Sequence, residues 1–189
     1  MRRAMLEIAG QMVIEDGVYA LSTRKLAERA GASTTAIYTL FGGKKGLLEA
    51  LCIEGFERLG EEVRAVDRAL DPLERLRAMN RTYRQLALEH PARYALMFEQ
   101  AMPEQVHSEA ALEQAWQSMH PLIEAMRACM DAGVIERGDA EALAMKFWVG
   151  AHGLVSLELA GYFRLQPELA VTLHEQNISS LNLKNSVRS

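Results

Sequence analysis

The chain has 189 residues, and 49% of them are apolar, enough to bury the core of one middling domain or of a small domain joined to a larger one. The formal net charge is −4, but residues 1–50 carry seven Lys/Arg against five acids, a balance of +2 that leaves −6 for the rest. An acidic body with a basic end points to a polyanion partner at that end. No segment is apolar for long enough to span a membrane. The start, MRRAMLEIAGQMVIEDG, is interrupted by Glu7, Gln11, Glu15 and Asp16 and reads as a helix rather than a signal peptide. The two cysteines, Cys52 and Cys129, lie in helical patterns without metal spacing, as reduced thiols in the cytosol would.

Taken in order, the elements are helical throughout. Met5, Ile8, Ala9, Met12 and Val13 form one face of a first helix, which Gly17 can end. Ser22 caps a short second helix with Leu26, Ala27 and Ala30 inward, and Gly31 closes it. Ser33 caps a third helix that ends near Phe41. Gly42 and Gly43 break the chain before a longer helix with Leu48, Leu51, Cys52, Gly55, Phe56, Leu59 and Val63 on one stripe. Asp71-Pro72 starts a helix to about His90, and Pro91 another to about Gln100. AMPEQVHSE reads as a loop. Ser108 can cap a long helix to about Ala132, which Pro121 is expected to kink or split. Asp139 can cap a helix to about Phe163, Pro167 begins a last one, and the polar tail SSLNLKNSVRS is expected to fray.

Three short helices in the first 41 residues, with a four-residue joint before the third, match a helix-turn-helix. Ala30-Gly31-Ala32-Ser33 supplies a glycine at the sharp turn and a capping hydroxyl where the next helix begins. At 100° per residue, Ala36, Ile37, Leu40 and Phe41 fall on one side of the third helix, and Thr34, Thr35, Tyr38 and Thr39 on the other. That outer face has hydroxyls and no carboxylate, which suits phosphates and base edges. Ser22, Thr23 and Arg24 stand at a helix N-terminus that favours an anion. Lys44 stands at another, where a cation is wrong for the dipole and makes more sense with a phosphate nearby, although each of these residues alone also fits an ordinary solvated surface.

LSTRKLAERAGASTTAIYTLFGGKKGLLEAL, Leu21–Leu51, resembles the DNA-binding domain of the TetR family of bacterial transcriptional regulators. The resemblance implies an all-α chain: a three-helix helix-turn-helix domain over 1–45, joined to a larger helical ligand-binding and dimerisation domain over 46–189. It implies that the third helix enters the major groove of a double-stranded operator. Ser33, Thr34, Thr35 and Thr39 would face the DNA, with Thr34 and Thr35 nearest the bases. Tyr38, Lys44 and the Ser22-Thr23 end of the second helix would bind phosphates, and Arg24 base or backbone. Leu40 stands where many members carry a histidine, and Gly43 where they carry a polar residue.

The resemblance also implies a cytoplasmic homodimer built from the last two helices. Lys146–Phe163 fits that part: Gly150, Gly153 and Gly161 allow close approach, and Leu154 and Leu157 add apolar area. Trp148-x3-His152-Gly153 is similar to a signature of one subgroup, and His152 reads either as a satisfied core or interface histidine or as a pocket group. The family expectation of an effector cavity between the fifth and eighth helices gives as candidate lining Met79, Tyr83, Tyr94, Met97, Phe98, Trp116, Met119, His120, Phe147 and His152. These residues and the ten methionines fit an adaptable cavity or plain core, and with few acids among them the effector would be neutral or apolar.

Two other readings remain beside a repressor released by its effector. A helical enzyme needs convergent acids, bases or metal ligands, but the five histidines are scattered and no nucleophile stands at fixed spacing from a base; no cofactor, metal or catalytic residue is expected. A protein-binding adaptor needs neither the hydroxyl face nor Lys44.

Overall fold

The computed structural model describes residues 1–98 and 108–181, apart from the side chains of 179 and 180; residues 101–107 of the loop expected over 101–109 and the tail beyond 181 lie outside them. Nine α-helices run through the described residues: α1 (Arg2–Asp16), α2 (Thr23–Arg29), α3 (Thr34–Phe41), α4 (Lys44–Ala65), α5 (Pro72–Glu89), α6 (Pro91–Phe98), α7 (Glu109–Asp131), α8 (Ala140–Leu159) and α9 (Pro167–Gln176). Two 3-10 turns, Val18–Ala20 and Asn177–Ser180, were not expected from periodicity, being too short to show one. The fold is all-α.

Side-chain caps start five of these helices. The amides of Lys25, Ala36 and Ala111 donate to the hydroxyls of Ser22, Ser33 and Ser108 at 3.2, 3.1 and 3.2 Å. Asp71 accepts from the Leu73 and Glu74 amides, and Asp139 from those of Glu141 and Ala142. Each cap satisfies amides that the first helical turn cannot, for about 1 kcal/mol.

Two boundaries differ from expectation. α8 stops at Leu159 rather than near Phe163, because Gly161 takes φ +83. The Tyr162 amide then donates to the Leu157 carbonyl and the Gly161 amide to that of Glu158, closing a Schellman turn that ends the helix while the apolar run continues. α7 is not split at Pro121 but runs through it. The buried Pro121 sits beside Leu122, Ile123 and Met126, whose burial offsets the lost amide bond.

The chain packs as two compact units. The first comprises residues 1–58 and the described part of 90–117. Its core holds Ala9, Met12, Leu21, Leu26, Ile37 and Leu47, all less than 2% exposed. Each large aliphatic among them stabilises the helix-turn-helix by roughly 1.5–3 kcal/mol. Phe98 meets Phe56 edge-on at 5.3 Å and Tyr94 at 4.9 Å.

The second unit comprises 59–89 and the described part of 118–189. Leu76, Met79, Met126, Cys129, Phe147, Ile178 and Leu181 share its core. α5 packs on α8 and α9 there.

Candidate nucleic-acid interface

α3 turns Ile37 and Phe41 inward, at 0% and 7% exposure, with Ala36 and Leu40 half-buried. Ser33, Thr34, Thr35, Tyr38 and Thr39 are exposed. Thr39 donates its hydroxyl proton to the Thr35 carbonyl at 3.0 Å, so toward solvent it offers acceptor lone pairs. The Ser33 hydroxyl accepts the Ala36 amide as the cap of α3 and keeps its own proton to donate. Ser33, Thr34, Thr35 and Tyr38 therefore keep a hydroxyl proton to donate from this face.

The basic residues of the first 50 positions divide by partner. Arg3 pairs with Glu7 at 3.2 Å. Arg29 pairs with Glu15 at 2.7 Å and Asp16 at 3.6 Å, fastening α2 to the end of α1. A hydrogen bond from Gln11, and next the one from Arg29, lowers the Glu15 carboxyl. Arg2 lies over the Phe41 ring at 5.2 Å. Among the described residues Arg24, Lys25, Lys44 and Lys45 take no part in such pairs, and all but the half-buried Lys44 are exposed. The positive end seen in the charge count thus concentrates around α2 and the start of α4, flanking α3.

The candidate ligand residues fall in both units. In the second, the Tyr83 hydroxyl and His152 Nδ1 lie 3.1 Å apart, and the His152 ring is 5.0 Å from that of Trp148. Burial pushes the His152 imidazole below its ordinary range. Met79 and Phe147 are core residues, with Met119 packed against the same core and His120 exposed. In the first unit Tyr94 and Met97 are buried, Phe98 is half-buried, and Trp116 is 56% exposed. An open pocket of about 300 Å³ at the α7–α8 turn is lined by Ile135, Asp139, Leu143 and Lys146 among others, and by none of the candidates.

Among the candidate interface residues, Gly153 and Leu157 are exposed on α8, in register with Val149 at 56% exposure; Leu154 is half-buried. Gly150 makes its close approach within the subunit: a Cβ there would collide with Asn177 Oδ1, whose amide donates to the Phe147 carbonyl. Gly161 is the terminator of α8.

Several buried or half-buried polar groups of the second unit escaped the pattern reading. Arg84 grips Glu158 side-on, its Nε at 2.9 Å and its Nη2 at 2.5 Å. His174 is 4% exposed, with Nε2 3.5 Å from Glu158, and its imidazole is lowered by burial and then by the Arg84 charge. Asn80 donates to the His174 carbonyl at 2.8 Å. The spacing of Ala170, His174 and Ile178 at i, i+4, i+8 was the available signal for α9.

Among the described residues no group of three or more His, Cys, Asp or Glu could hold a metal ion. Burial pushes both cysteine thiols up to about 11, which keeps them protonated at neutral pH. Among the described residues no helix is long and apolar enough to cross a membrane.

Comparison with known proteins agrees with this geometry. Residues 6–51 match the model of bacterial regulatory proteins of the tetR family, and residues 76–180 match the tetracyclin repressor-like C-terminal domain. A solved protein of unknown function from Rhodococcus sp. RHA1 is 30% identical, with 96% of this chain and 95% of that one covered at a TM-score of 0.79. A solved candidate regulatory protein is 27% identical, covering 95% and 93% at 0.74. A TetR-family transcriptional regulator from Pectobacterium atrosepticum shares the fold at 23% identity, covering 95% and 89% at 0.73. No protein of curated function matches. With its C-terminal match spanning more than half of the residues and its helix-turn-helix matched separately, the chain belongs to the TetR family of transcriptional regulators.

Proposed function

We propose that this regulator is a repressor that binds a near-palindromic operator as a homodimer and leaves it when a small molecule binds. The observation that carries the reading is the outer face of α3: five exposed hydroxyl-bearing residues, no carboxylate, and unpaired cations on both flanks. Residues 1–45 act as the DNA-binding part and 46–189 as the ligand-binding and dimerisation part. Thr34 and Thr35 meet base edges. Tyr38, Lys44 and the Ser22-Thr23 end of α2 take phosphates, with Arg24 on phosphate or a guanine edge.

A dimer places two α3 helices in successive major grooves, about 34 Å apart. The exposed Val149, Gly153 and Leu157 of α8 and Leu169 and Val171 of α9 support a dimer face there. The effector has an apolar body, in keeping with the Met79, Phe147 and Met126 core. It favours a spacing of the two α3 helices that no longer fits the grooves, and operator affinity falls.

Genome-wide mapping of bound sites supplies the operator. Gel shifts on it should show binding by the wild type and none by a folded, dimeric Tyr38→Ala/Lys44→Ala variant. Unchanged affinity in that variant would show the assigned face to be wrong.

A further inference from the structure

Arg75, on α5, is 8% exposed, and its Nε and Nη2 are enclosed with no hydrogen-bond partner. The neighbouring ions are spoken for. Glu74 pairs with Arg77 and Arg81, and Glu158 with Arg84. Asp71, one turn earlier, takes the capping amides of Leu73 and Glu74 on Oδ1 and forms no ion pair with Arg75 among the described residues. Around Arg75 the helix contributes Leu76 and Met79 to an apolar core that includes Met126, Cys129 and Phe147. The Cys129 thiol, pushed up to about 11 first by burial, also feels the charges of Asp71 and Arg75.

Burying a cation without a partner is costly, and such a group is retained where something pairs with it. The two unpartnered atoms are not arbitrary. Nε and Nη2 form one edge of the guanidinium, two parallel donors spaced for the two oxygens of a carboxylate. Arg84 uses this same edge on Glu158. One enclosed cation balances a monoanion, whereas a phosphate dianion would keep an uncompensated charge in the core.

We propose that Arg75 is the anchoring cation for an effector carrying a carboxylate on an apolar body, with Nε and Nη2 each donating to one carboxylate oxygen. This rests on the reading that the C-terminal part binds an effector. It keeps the apolar body implied by the methionine and aromatic positions and replaces the neutral head group with an acid.

The test compares full-length wild type, Arg75→Met and Arg75→Lys by calorimetry and thermal melting. The probes are hexanoate, decanoate, benzoate and phenylacetate, each against its primary amide. At least one acid should bind the wild type roughly tenfold or more tighter than its amide. That preference should vanish in Arg75→Met and shrink in Arg75→Lys, which keeps the charge but lacks the fork. Ligand-free Arg75→Met should melt no lower than the wild type, since it removes an unpaired buried charge.

The proposal is overturned by an acid preference that survives in Arg75→Met, by a ligand-free Arg75→Met that melts well below the wild type, or by no acid in the panel binding the wild type better than its amide. Amides alone stabilising the protein overturns the carboxylate and leaves the effector reading standing. Operator binding, measured on the same samples, tests the regulator reading separately. An Arg75→Met chain that does not fold counts as one that melts well below the wild type and overturns the proposal.

Discussion

The ring of Tyr38 rests on the backbone of Gly43. A Cβ at position 43 would stand 3.0 Å from Tyr38 Cε1 and 3.4 Å from Cδ1, and Gly43 has φ +102. The α3–α4 joint therefore holds one side of a tyrosine that is 58% exposed on the other. It also accounts for a glycine at this position. Gly43→Ala should cost about 1–2 kcal/mol from backbone strain. It should also weaken operator binding at temperatures where both proteins are folded, as read by fluorescence anisotropy. Wild-type affinity in the variant would mean that Gly43 does not position Tyr38.

Pairing separates the arginines of the first unit. Arg24 and Lys44 have no carboxylate to satisfy, whereas Arg29 is committed to Glu15 and Asp16. Arg24→Ala and Lys44→Ala should each lower operator affinity and reduce the salt slope of binding by about 1. Arg29→Ala should leave that slope unchanged. Salt titrations of the three variants check this, and a lowered slope in Arg29→Ala would break the assignment.

Leu157 is 42% exposed on the face that also carries Val149 and Gly153. Leu157→Glu should leave the subunit folded, since little packing is lost, but should drive sedimentation toward the monomer and lower operator affinity with it. A stable dimer in this variant would put the subunit interface elsewhere.

His152 and His174 are both held below the ordinary histidine range, by burial in each case and by Arg84 next for His174. Above pH about 6.5 neither state binds the proton, so the shifts contribute nothing. As pH falls through that value the unfolded chain takes up protons that the folded chain refuses, and stability drops until the lowered pKa values are passed. The slope is at most about 1.4 kcal/mol per pH unit for each histidine. Denaturant titrations from pH 7.5 to 5.5 should show the decline, and His152→Gln and His174→Gln should each flatten it. An unaltered slope in both variants would assign the decline to other groups.

The helix starts were legible because capping is local. Ser22, Ser33, Asp71, Ser108 and Asp139 bond amides two or three residues away, and no distant contact is needed to infer them. Pro121 and Gly161 show where that reasoning stops. Continuity through a proline depends on what packs on both sides of it, and an apolar run cannot reveal that a glycine within it has turned left-handed. Gly150 shows another limit. A small residue signals close approach, but not that the neighbour is Asn177 of the same subunit.

The sequence by itself determined the helix-turn-helix and the face it offers, because the joint, the caps and the two sides of α3 are set by residues within a few turns of one another. Only the tertiary structure decided which polar groups of the C-terminal part are inside. Arg75, Asn80 and His174 look like ordinary solvated positions until α7, α8 and α9 close over them. Burial of a side chain is a property of neighbours that lie 50 to 100 residues away, such as Arg84 and Glu158 or Asn80 and His174. The cost of desolvating such a group depends on those neighbours and not on its own place in the chain.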